Sequence, residues 1–80
     1  MKVKVLFFAL GRELVGAEEL AVDIPEGATA AMLIGHINEK YPRFRELPSY
    51  MIAVNMAFAE TGTVLNPGDE VAIIPPVSGG

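Results

Sequence analysis

The sequence predicts an α+β fold in which a mixed, curled sheet packs on one main helix and an extended C-terminal tail leaves the body. Three observations point to it: strand-like alternation near both ends, a stretch of helical apolar spacing between them, and a proline pair that breaks the last apolar segment shortly before a Gly-Gly terminus. The 80 residues are 51% hydrophobic and 20% charged, a globular composition, and residues 1–80 read as a single domain with one modest core.

From Lys2 to Ala9 the residues alternate, with Val3, Val5, Phe7 and Ala9 on one face and Lys2, Lys4, Leu6 and Phe8 on the other. The opening MKVKVLFFALGRE resembles a short secretory signal, but Arg12 and Glu13 end the apolar run Val5 to Leu10 too early, so a first strand is the better reading. A loop holding Gly11 and Gly16 follows. The segment EELAVDI alternates more cleanly, Leu20, Val22 and Ile24 against Glu19, Ala21 and Asp23, as a half-buried antiparallel partner does.

Pro25 and Gly27 break that strand, and Thr29 can cap a helix running to about Lys40. Ala30, Leu33, Ile34, Ile37 and Tyr41 fall at helical spacing on one face, and Pro42 stops the helix. Gly35 in mid-helix costs about 1 kcal/mol relative to alanine, which leaves two readings: a close neighbour needs the space, or the site is suboptimal. A polar loop with Arg43, Arg45 and Pro48 leads to YMIAVN and MAFAE, two short strands. In NPGD, Pro67 presets the first central dihedral and Gly68 supplies the positive φ of a type II turn. EVAIIP is the last strand, with Val71 and Ile73 opposite Glu70, Ala72 and Ile74. If it pairs parallel to the first strand through a right-handed crossover, the β-grasp arrangement results. Both strands then finish at the same edge, Ile74 lies near Phe8, and the tail leaves from there.

Self-contained catalysis has little material in this chain. Cysteine is absent, and the one histidine, His36, lies beside the helix's apolar stripe, where a surface role outweighs a catalytic one. The pairs Glu18–Glu19 and Asp69–Glu70 are sequence neighbours that point apart in strands and turns. Phosphate-cradling loops and metal-ligand spacings are lacking. Six basic residues against ten acidic ones give a formal charge of −4, which disfavours nucleic acid and anionic membranes and favours a basic protein partner. No apolar stretch approaches the roughly 20 residues of a membrane span, and a cytoplasmic location is expected.

The tail departs from what folding alone requires. Pro75 and Pro76 lack backbone donors and end the ladder, so the flexible segment 75–80 can reach about 20 Å at roughly 3.3 Å per residue. Gly79 and Gly80 have no Cβ and fit a narrow tunnel. Leu6 and Phe8, with Ile74 and Phe58, form an apolar patch beside the tail exit unless the 41–49 segment covers them.

These residues resemble a known family. KVLFFA with RELVG, the pair Val54–Asn55, and above all GDEVAIIPPVSGG are similar to the molybdopterin synthase small-subunit (MoaD-like) family of ubiquitin-like sulfur carriers, across nearly the whole chain. The resemblance implies a ubiquitin-like β-grasp fold and a subunit that is not catalytic alone. It implies that an E1-like adenylyltransferase activates the Gly80 carboxylate with magnesium ATP, and that a sulfur donor protein displaces AMP to leave a thiocarboxylate. The large subunit of a heterotetrameric synthase then passes that sulfur to cyclic pyranopterin monophosphate in molybdenum cofactor biosynthesis. By the same resemblance Gly79 and Gly80 are the transfer residues, Pro75, Pro76, Val77 and Ser78 the inserted tail, and Phe8, Phe58 and Ile74 the hydrophobic docking face, with Arg12 matching the family's arginine near it; Leu6 joins the docking residues from the outward face of the first strand. No cofactor or metal is expected on the chain itself. Met56, after Asn55, stands where many relatives carry a turn-forming residue. The competing readings are a carrier for thiazole, cysteine or tRNA thiolation, a protein modifier joined through Gly80 to lysines, and a passive β-grasp interaction domain.

Overall fold

The computed structural model describes residues 1–76. Five strands, β1 (Lys2–Phe7), β2 (Glu19–Asp23), β3 (Met51–Val54), β4 (Ala57–Ala59) and β5 (Glu70–Ile74), form one mixed sheet in the order β2-β1-β5-β3-β4. The first and last strands, β1 and β5, are central and parallel, with Val5 opposite Val71 and Phe7 opposite Ile73; every other pairing is antiparallel. Both helices, α1 (Ala9–Val15) and α2 (Ala30–Lys40), lie within the crossover joining β1 to β5. This is the β-grasp arrangement expected from the order of the segments.

Alternation decides which residues enter the core. Val3, Val5 and Phe7 of β1 and Val71 and Ile73 of β5 are buried together with Leu33, Ile34 and Ile37 of α2. Helix α2 starts where the sequence places it, for the reason given: the Thr29 hydroxyl accepts a hydrogen bond from the Met32 N–H at 3.3 Å, satisfying one of the free donors of the first turn. Gly35 faces open space, with nothing within 4 Å of a Cβ placed there, so crowding does not explain it.

Two stretches differ from the expectation. The first strand ends at Phe7 and not Ala9, and the supposed loop after it is α1. Ala9 takes a left-handed φ of 49°, turning the chain out of the sheet without a glycine to announce it. Gly11, Leu14 and Val15 bury one side of α1, and Gly16 closes it at φ 82°, its N–H bonding the Arg12 carbonyl at 2.8 Å. The fold therefore has a second, shorter helix beside the main one. The polar loop after α2 is a 3-10 helix, Pro42–Glu46, which drives Phe44 into the core edge-on to Phe7, 5.9 Å between centroids, and against Tyr50 at 5.5 Å.

The turns behave as their residues demand. Asn66 to Asp69 closes with an Asp69 N–H to Asn66 carbonyl bond of 3.1 Å and Gly68 at φ 81°, the expected type II turn. Between β3 and β4, Asn55 at φ 50° and Met56 at φ 71° make a two-residue hairpin of primed type despite methionine at the second position. Asp69 is buried, and its carboxylate accepts from the Asn55 side-chain amide at 2.9 Å and the Asn66 backbone N–H at 2.7 Å. The Asn55 side-chain carbonyl in turn accepts from the Glu70 N–H at 3.0 Å. One asparagine thus ties the hairpin to the start of β5.

Candidate functional site

The sheet face turned away from α2 holds the candidate site. Register places Leu6 of β1 opposite Ala72 of β5, Ala72 opposite Ala53 of β3, and Ala53 opposite Phe58 of β4, so one apolar row crosses four strands. The next row toward the tail pairs Ile74 with Met51, and extended backbone at Phe8 continues the β1 alternation one step past the Phe7–Ile73 pair. Phe58 is 71% exposed, Met51 50% and Phe8 45%, while Leu6 and Ile74 are half-buried. The 41–49 segment packs Phe44 on the opposite side of the sheet and leaves the patch uncovered. The far end of the same face is charged, with Lys2, Lys4, Asp23 and Glu70, and Glu19, opposite Leu6 at the edge of the apolar row, pairs with Lys4 at 3.5 Å.

Because β1 and β5 run parallel, they reach the patch end together, and Pro75 and Pro76 follow directly from Ile74. The two prolines line an apolar recess of about 350 Å³ with Ala9, Leu10, Leu47, Pro48 and Ser49. Arg12 lines a neighbouring cleft of about 290 Å³ with Leu6, Phe8, Glu18 and Glu19. Its guanidinium donates to the Glu18 carboxylate at 2.9 Å, both side chains exposed, a pair that orients the arginine and adds little stability. The structure thus brings Leu6, Phe8, Phe58, Ile74 and Arg12 to one end of the sheet, beside Pro75 and Pro76. Val77, Ser78, Gly79 and Gly80 lie outside the described residues.

The ThiS family model matches residues 5–80. The chain belongs to the ThiS family. Among its relatives, the molybdopterin synthase sulfur carrier subunit of Mycobacterium tuberculosis is 39% identical over 82 residues, covering all of this chain and 99% of that one. The Arabidopsis thaliana protein of the same name is 36% identical over 81 residues, covering all of this chain and 84% of that one. Among solved structures, SAMP1 from Haloferax volcanii superposes with a TM-score of 0.91 at 25% identity, covering all of both chains. A chain in the complex of subunits 1 and 2 of the molybdopterin-converting factor from Helicobacter pylori does so with a TM-score of 0.70 at 27% identity, again covering all of both. The ubiquitin-like β-grasp fold of this ThiS family member is shared with these structures.

Asp69 is held by Asn55 and Asn66, and His36 lines a groove of about 260 Å³ between β2 and α2 with Asp23, Lys40 and Tyr41. Among the described residues no three histidine, aspartate or glutamate side chains cluster closely enough to hold a metal ion, and no helix is long and apolar enough to cross a membrane. Sequence reasoning missed Met51, Ala53 and Ala72 as members of the patch. Part of the signal was present, since Met51 alternates with the buried Ile52; Ala53, as buried as Ile52, and Ala72 join the row through cross-strand register, and small and flexible side chains did not read as a surface. Leu10 and Leu47 at the tail root were missed because α1 and the 3-10 helix were read as loops.

Proposed function

We propose that this chain is the sulfur-carrying small subunit of a molybdopterin synthase. The observation that carries the proposal is the parallel β1–β5 pairing, which sets the root of a Gly-Gly tail beside an uncovered apolar face. The names and full-length coverage of the relatives support it. In this reading the Gly80 carboxylate attacks the α-phosphate of magnesium ATP on an E1-like partner, and pyrophosphate leaves. A sulfur donor protein then supplies sulfur that displaces AMP from the acyl carbon, producing the thiocarboxylate.

The charged tail next enters the active site of a catalytic large subunit, as the paired subunits of the Helicobacter pylori factor suggest, and sulfur passes to cyclic pyranopterin monophosphate. Two loaded carriers are consumed per dithiolene, in keeping with a heterotetramer of two small and two large subunits. Phe8, Phe58, Ile74 and Leu6 supply apolar docking area, and Arg12 a charge at its margin. Pro75, Pro76, Val77 and Ser78 span the distance to the reacting carbon, and Gly79 and Gly80 pass the narrowest point because they lack Cβ atoms. The chain carries no bound cofactor and works in the cytoplasm.

A second reading is favoured by the likeness to SAMP1, a small archaeal modifier protein: Gly80 joined to lysine amines of other proteins. High-resolution mass spectrometry of the C-terminal peptide from native cells separates the two. A thiocarboxylate on Gly80 supports the carrier, and a lysine-linked Gly80 the modifier. Deleting Gly80 is expected to abolish dithiolene formation in a reconstituted synthase while leaving thermal unfolding unchanged; undiminished product formation excludes the proposed role.

A further inference from the structure

The chain has four methionines and no cysteine, so in its carboxylate form these thioethers are its only sulfur atoms. Their settings differ. Met1 is half-buried and packs against the core; Met32 lies on α2, on the other side of the sheet from the apolar face. Met56 is 94% exposed at the tip of the β3–β4 hairpin. Met51 sits within the apolar face, opposite Ile74 on β5 and diagonal to Phe58 on β4, and it lines one open groove with Phe58.

We infer that Met51 is an oxidation-sensitive contact of the docking face: its conversion to the sulfoxide weakens large-subunit binding, and docking in turn shields it from oxidant. The inference rests on the docking role proposed above. A hydroperoxide supplies the chemistry. With hydrogen peroxide the thioether sulfur attacks one peroxide oxygen, the O–O bond breaks, an S–O bond forms, sulfur loses two electrons, and the other oxygen leaves as water. The product replaces a flexible apolar group by a strong acceptor. In the free carrier water satisfies that acceptor, so the fold is little affected. In the docked complex it faces Ile74, Phe58 and an apolar partner surface, where an unpaired polar group is costly to bury. Linkage makes the effect reciprocal, because whatever binds the thioether form better than the sulfoxide must also disfavour the oxidation.

The test uses the full-length carrier in its carboxylate form and its cognate large subunit. The carrier is treated with dilute hydrogen peroxide, sulfoxides are assigned by peptide mass spectrometry, and Kd is measured by calorimetry before and after. For the natural sequence and for Met56→Leu, Kd is expected to rise about tenfold or more. For Met51→Leu the ratio of Kd after to before oxidation falls to about one, whatever its starting affinity. Saturating large subunit is expected to slow sulfoxide formation at Met51 and not at Met56. A change within about twofold for the natural carrier, or a Met51→Leu carrier that stays as sensitive, overturns the inference. If the unoxidised carrier fails to bind, the docking reading fails first and the inference with it, an outcome visible before any oxidant is added.

Discussion

The two faces of this sheet are built from the same strands, one residue apart, yet they do different work. On the inner face Val5, Phe7, Val71 and Ile73 lie against α1, α2 and the 3-10 helix, with Val5 and Ile73 at 0% exposure. On the outer face Phe8, Met51 and Phe58 are exposed and Leu6 and Ile74 half-buried, with no helix among the described residues packed over them, although their composition is nearly as apolar. Apolarity therefore does not separate core from docking surface here. Coverage does, and coverage is set by where the helices of the crossover pack. Residues of both helices share the core on one side of the sheet, leaving the other side of the central strands open.

The comparison breaks most severely at Phe7. Its ring is buried against Phe44, so Phe7→Ala removes aromatic packing and leaves a cavity among residues that cannot collapse far. The expected loss is about 3–5 kcal/mol of unfolding free energy, a large part of the stability of so small a chain, measurable by urea denaturation. A loss below about 1 kcal/mol would mean that the inner face is not the core.

Phe58 tests the outer face. Phe58→Asp places a charge where the ring is already mostly in water, so stability is expected to change by no more than about 0.5 kcal/mol. Binding of the large subunit is expected to weaken by about tenfold or more, because a carboxylate would be buried against an apolar partner. If stability falls as much as for Phe7→Ala while binding holds, the assignment of the two faces is reversed.

How much of this division was legible in the sequence depends on which force placed each residue. The cap at Thr29, the stripe Leu33–Ile34–Ile37, the Pro67–Gly68 turn and the alternation of β5 are local, and each was readable because one residue type has one physical use there. Helix α1 was hidden for the opposite reason. Its seven residues begin at an alanine with positive φ, have no side-chain cap and contain Gly11, so local preferences argue against a helix and tertiary packing of Leu14 and Val15 overrides them. Phe44 was hidden between Arg43 and Arg45, where the polar neighbours spoke louder than the ring. Of the candidate site, the large residues Phe8, Phe58, Leu6 and Ile74 were legible. The breadth of the patch was not, since Met51, Ala53 and Ala72 join it only through cross-strand register.

The finest difference between covered and open surface is found at Tyr50, which sits half-buried at the boundary with its ring against Phe44. Burial pushes its phenol pKa above the ordinary value of 10.0, because the phenolate loses hydration there. A neutral form favoured by the fold binds its proton more tightly in the folded than in the unfolded chain. Its contribution is therefore fully present below the unfolded pKa near 10.0 and is lost as pH rises through the higher folded value. Unfolding free energy is expected to decline more steeply above about pH 10 in the natural chain than in Tyr50→Phe, which keeps the ring and removes the proton. Parallel declines in urea titrations at pH 9 and pH 11, flanking the ordinary tyrosine range, would place Tyr50 with the open surface instead of the covered one.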